Sequence, residues 1–123
     1  MITENTRVRS TRTLPPKKFV VNGSTIGCDT VFELKPKNIS KTGLLLTWKA
    51  TPPAPFRKLT ILDITIDPRG DVLERPIPCL GQIARIINLN EEKYYGIQII
   101  QIEPKYQEIW ESMVSGLEKD VID

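Results

Sequence analysis

Asn38-Ile39-Ser40-Lys41-Thr42-Gly43 is the stretch on which the reading of this chain turns. It has the form Asn-x-Ser-x-x-Gly and separates two apolar runs, Thr30-Val31-Phe32-Glu33-Leu34 before it and Leu44-Leu45-Leu46-Thr47-Trp48 after it. Both runs predict strands, and the segment between them predicts a loop, with Pro36 ending the first strand. The loop carries chemistry. The Asn38 amide offers one acceptor and two donors, and the Ser40 hydroxyl both donates and accepts. Gly43 permits φ > 0 and a close approach of another backbone or a ligand. Upstream lies an arginine cluster, Arg7, Arg9 and Arg12.

Outward from this stretch the pattern stays β. Lys18-Phe19-Val20-Val21 predicts a short strand, followed by a turn at Asn22-Gly23. Three prolines between Thr51 and Pro55 require a loop. Leu59 to Ile66 alternates, with Leu62, Ile64 and Ile66 on the face expected to meet the core. A turn is expected at 67–71, a long strand over 77–89 with a bulge at Gly81, and a last strand over 94–102. The period then changes. Glu103 and Pro104 suit a helix start, and Tyr106, Ile109, Trp110, Met113, Val114 and Leu117 recur at helical spacing. That stripe should cover an open end of a barrel or meet a second subunit. Residues 1–16 are polar and basic with no apolar period, so they read as a flexible arm ahead of a single domain over 17–123, its helix at about 104–117.

Composition narrows the function. At 123 residues the chain makes one domain. No run approaches the ~20 apolar residues of a membrane span, and the polar start shows no export signal, so the cytoplasm is the expected compartment. Cys28 and Cys79 are then expected as reduced, partly buried thiols. With no histidine, two cysteines cannot build a four-ligand metal site, and no nucleophile–base pair stands out; we expect no enzyme, metal or cofactor. The net charge of +2 conceals an asymmetry. Residues 1–58 hold 11 Lys/Arg against 3 Asp/Glu (+8), and residues 59–123 hold 6 against 12 (−6). A basic first half suits a phosphate-bearing partner. An oligonucleotide-binding barrel would want aromatic platforms, and Trp48, Tyr94 and Tyr95 are too few and scattered; no DNA or RNA is expected.

Together these features resemble the PilZ domain, a small bacterial β-barrel that binds cyclic di-GMP. The resemblance rests on Asn38–Gly43, which matches that family's Asp/Asn-x-Ser-x-x-Gly motif in full, on the upstream arginines, and on Gly81-x-Ile83-x-Arg85 followed by Tyr95-Gly96-Ile97. It implies a mainly β fold, a six- to seven-stranded antiparallel barrel with a C-terminal amphipathic helix. It also implies a cyclic di-GMP site in which Arg7, Arg9 and Arg12 clamp phosphate and stack on guanine, while Asn38, Ser40 and Gly43 hold a guanine edge. Arg85 would add charge or stacking. The family's Arg-x-x-x-Arg spacing is absent: Arg7 and Arg12 are five apart, and Arg9 and Arg12 three. Two functions stay open. One is a cyclic di-GMP receptor that orders its arm on binding and signals to a bacterial partner protein. The other is a PilZ-like adaptor for motility or pilus assembly that binds no nucleotide.

Overall fold

The alternation of apolar and polar residues is realised as six strands. The computed structural model describes residues 14–15, 19–49, 52, 54–67 and 76–122, with side chains up to Gly116. The elements are β1 (Val20–Thr25), β2 (Phe32–Ile39), β3 (Gly43–Lys49), β4 (Ile61–Asp67), β5 (Ile77–Leu89), β6 (Glu92–Gln101) and α1 (Pro104–Ile122). All strand pairs are antiparallel, and they close in the order β1-β2-β3-β6-β5-β4, with β4 paired back onto β1. The fold is therefore a closed six-stranded barrel with one C-terminal helix.

One residue in two points inward along each strand and meets the same core. Val21, Leu34, Leu46, Leu62, Ile64, Ile66, Ile83 and Tyr95 are each 1% exposed or less. At one mouth an aromatic cluster fills the interior: Phe32 meets Trp48 and Phe56 edge-on at 5.4 and 5.3 Å, and Phe56 meets Tyr95 at 5.5 Å. Phe56 comes from the proline-rich connection, which Trp48 holds by donating Nε1–H to the Pro52 carbonyl at 3.1 Å. At the opposite mouth Phe19 and Trp110 stack, 6.3 Å between centroids. The helix thus covers an open barrel end, as one of the two expectations had it. The Glu103 carbonyl accepts the amides of Tyr106 and Gln107, both at 2.9 Å, and starts it. Trp110, Met113 and Val114 are buried, whereas Ile109 is 41% exposed and lies off the packed stripe. The helix runs beyond 117 to Ile122, because no proline follows to stop it.

Several local expectations are corrected. Asn22-Gly23 is not a turn but the middle of β1, paired to Glu33 and Phe32 on one side and to Thr65 and Ile64 on the other. Pairing on both sides outweighs the turn preference of the dipeptide. The chain turns at Thr25–Cys28, where the Cys28 amide donates to the Thr25 carbonyl at 3.0 Å and Gly27 takes φ 87°. Pro36 does not end β2, which continues to Ile39; the register slips between Pro36 and Asn38, so the missing amide falls at a bulge. Asp67 is the last residue of β4, and the rest of the turn expected at 67–71 lies outside the described residues. Leu59 lies outside β4 at φ 73°, although its amide still donates to the Ile83 carbonyl at 2.7 Å. A register shift does fall at Leu80/Gly81, where the sequence places a bulge, but the extra residue is Ile100 of the facing β6; a second shift between Ile83 and Arg85 bulges β5 itself. Both cysteines are free thiols; Cys79 is buried, but Cys28 is exposed in its turn. Among the described residues no helix is long and apolar enough to cross a membrane.

Candidate ligand-binding face

Side chains that do not point into the barrel point outward, and the register decides which of them meet. Asn38 pairs with Leu45, Leu45 with Gly96, and Gly96 with Arg85. These four residues form one row across β2, β3, β6 and β5 on the outer wall. A second row runs Gly43–Gln98–Gln82–Ile61. The motif amide and Arg85, 47 positions apart in sequence, therefore lie on one face. Lys35 and Lys37 on β2 are exposed, as is Arg85, so the edge of this face beside Asn38 is basic.

Glycine shapes the floor. A Cβ on Gly96 would lie 2.8 Å from Arg85 Cγ and 2.9 Å from its Nε. The arginine stem lies flat over β6 in the space that the glycine leaves, which keeps the guanidinium close to the wall while the residue stays exposed. A Cβ on Gly43 would come within 2.7 Å of the Ile97 carbonyl oxygen. Gly43 is thus required by the approach of β3 to β6. The sequence-based expectation of φ > 0 does not hold, since Gly27 is the one glycine with positive φ among the described residues.

The loop itself is tightly held. The Ser40 amide donates to the Gly43 carbonyl at 2.9 Å. In return the Gly43 amide donates to Ser40 Oγ at 3.1 Å, and the Ser40 hydroxyl faces the same carbonyl at 3.4 Å. Ser40 is 5% exposed, so its hydroxyl serves the loop. The Thr42 carbonyl accepts the Ile99 amide at 2.9 Å, and the Lys41 carbonyl accepts Trp110 Nε1–H at 3.2 Å. Asn38 and Ile39 belong to β2, leaving 40–42 as the loop. Half-buried Asn38 belongs to a strand, a more rigid mount than the loop read from sequence.

The structure brings Asn38, Gly43 and Arg85 to one face, with Ser40 beneath it. Arg7, Arg9 and Arg12 lie outside the described residues, as does nearly all of the 1–16 arm. Gln82, Gln98, Lys35 and Lys37 escaped the reading of the sequence, because only the register shows that they share the face. Away from it, a cleft is lined by Asp63, Pro78, Cys79, Leu80, Gln101, Ile102 and Glu103. Burial, then the Asp63 carboxylate, push the Cys79 thiol up to about 12, so it is neutral and unreactive at physiological pH. Among the described residues no cluster of three or more potential metal ligands occurs.

No protein-family model and no curated protein matches the chain. Solved structures do. The chain is similar to the PilZ domain of YcgR from Escherichia coli, determined with c-di-GMP, at 13% identity over 94% of each chain and a TM-score of 0.71. It is also similar to MotI/DgrA, the Bacillus subtilis inhibitor of motility, at 16% identity over 94% of this chain and 52% of that one, TM-score 0.75. The K. pneumonia MrkH–c-di-GMP complex gives 16% identity over 94% and 53%, TM-score 0.75. The chain spans about half the length of the latter two proteins.

Proposed function

From the PilZ-domain fold of this chain as premise, we propose that it is a receptor module for cyclic di-GMP, with the ligand on the outer wall against the Asn38–Leu45–Gly96–Arg85 row. The observation that carries the reading is the placement of the motif amide and an arginine on one row, over a glycine floor, beside the exposed Lys35 and Lys37. The ligand presents guanine edges and phosphates. An amide oxygen at Asn38 accepts from a guanine N–H, and its nitrogen donates to a ring acceptor. Arginine supplies charge, a bidentate fork and a flat face for stacking. Arg7, Arg9 and Arg12 supply further cations from the N-terminal arm, which closes over the bound nucleotide and changes the surface offered to a partner protein. The YcgR domain and MrkH, both determined with c-di-GMP, support the choice of ligand.

The altered arginine spacing favours a second reading, an adaptor that binds no nucleotide and acts through protein contacts. Calorimetric titration of the full chain with cyclic di-GMP separates the two. The receptor reading requires saturable heat, an affinity that falls with added salt, and an affinity lowered about fivefold or more in Asn38→Ala, since an unmade hydrogen bond costs about 1–3 kcal/mol. No heat from the full chain leaves the adaptor reading standing.

A further inference from the structure

Trp110 joins three parts of the molecule that the sequence keeps far apart. Its ring, 1% exposed, stacks on Phe19 at an interplanar angle of 27°. Its Nε1–H donates to the Lys41 carbonyl, 69 residues away in sequence. Phe19 follows Arg12 by seven residues, and Lys41 is the centre of the Ser40–Thr42 loop. The loop is therefore pinned at three points. Ser40 and Gly43 clamp one another, Thr42 is tied to β6 through Ile99, and Lys41 is tied to α1 through the indole. An open groove lined by Lys41, Glu108, Glu111, Ser112, Ser115 and Gly116 adjoins the Lys41 end of the last tie. Packing alone does not require a tryptophan here, because phenylalanine would also stack on Phe19. What the indole adds is a donor aimed at a loop carbonyl that neither the Ser40–Gly43 clamp nor the Thr42–Ile99 bond engages.

We propose that Trp110 is a positioning residue for the ligand face, holding the Ser40–Gly43 loop through Lys41 and tying that loop and the start of β1 to the helix. This rests on the reading of that face as the cyclic di-GMP site. A nucleotide that bears on the loop then changes the environment of one indole, and α1 is the element that responds. The coupling is reciprocal, so restraint of α1 by a partner changes ligand affinity by the same factor.

The test uses the full chain, labelled with 15N, and the variant Trp110→Phe. Without ligand, the Gly43 and Ile99 amides should exchange several-fold faster in the variant, while amides of β4 keep their protection. With ligand, the variant should bind about fivefold more weakly, equivalent to about 1 kcal/mol for one hydrogen bond. In the wild type the Trp110 indole signal should shift on titration. The Trp48 indole, bonded to Pro52 at the other mouth, should stay in place. Unchanged exchange at Gly43 and Ile99 in a folded variant overturns the proposal. So does a wild type that binds while its Trp110 signal stays still, and this readout holds even if the variant fails to fold. A wild type that gives no binding heat removes the ligand reading and the coupling to it; the exchange rates then decide the positioning role alone.

Discussion

Gly43→Ala is the substitution whose cost follows most directly from the structure. The added methyl would sit 2.7 Å from the Ile97 carbonyl oxygen, a backbone atom that cannot rotate away. An ordinary carbon–oxygen contact is about 3.3 Å, so β3 and β6 must part locally by roughly 0.6 Å. Forced overpacking costs about 1–3 kcal/mol. Taking about 2 kcal/mol, Tm should fall by roughly 8 °C for a domain of this size. Gly116→Ala provides the opposite sign: no atom lies within 4 Å of the new methyl, in the exposed part of α1. Alanine there should raise stability by about 1 kcal/mol. Thermal and urea melts followed by circular dichroism give both numbers. A Gly43→Ala protein melting within a degree of the wild type would refute the argument, and with it the view that the motif glycine is demanded by strand packing whether or not a ligand binds.

Gly96→Ala should behave differently, because its new methyl meets the flexible Arg85 side chain instead of backbone. Its Tm should move by only a few degrees, while cyclic di-GMP affinity should drop as much as in Arg85→Ala. The double variant should be no weaker than either, and additive losses would show that the two residues act separately. Native protein treated with iodoacetamide should gain one adduct by mass, at exposed Cys28, before any at buried Cys79; equal rates at both would contradict the burial. The Cys79 thiol ionises near 9.0 when unfolded and near 12 when folded. The folded chain then holds the extra proton, so this contribution is fully present below about pH 9 and is lost as pH rises towards 12. Cys79→Ala should flatten the loss of stability in that window, and an unchanged slope would assign it elsewhere. Deletion of residues 1–12 should abolish nucleotide binding and leave the melt intact; a truncated chain that binds as tightly as the full one removes the arginine clamp.

The barrel was legible because the core demands a period of two. Leu62, Ile64 and Ile66 were read as inward from alternation alone, and all three are fully buried. The helix was legible from the spacing of Trp110, Met113 and Val114. What failed were signals of local preference. Asn22-Gly23 and Pro36 carry turn and breaker character, yet both lie in strands that have two neighbours, where pairing and burial outweigh a preference of about 1 kcal/mol. The site was half legible. Asn38, Ser40 and Gly43 were found as a string, but their division of labour depends on which strand faces which. Ser40 and Gly43 serve the loop and the β3–β6 contact, whereas Asn38 faces outward. Register sets Arg85 in the row of Asn38, and it alone shows that Gln82 and Gln98 share that face.

The closure of β4 onto β1 has a consequence for recognition. A sheet that ends in a free strand offers a row of unpaired amides and carbonyls, to which a foreign strand can attach regardless of its side chains. Among the described residues every strand has a neighbour on each side, and the longest stretches paired on one side alone are β2 beyond Leu34 and β5 beyond Ile83. A foreign strand has only such short stretches to attach to, and not a whole free edge. Over the rest of the wall a docking protein must read side chains, and apolar ones such as Ile26, Val31, Ile87 and Leu89 already stand in solvent near the strand ends. Selectivity for a partner can then change by single surface substitutions while the hydrogen-bonded wall behind them stays intact.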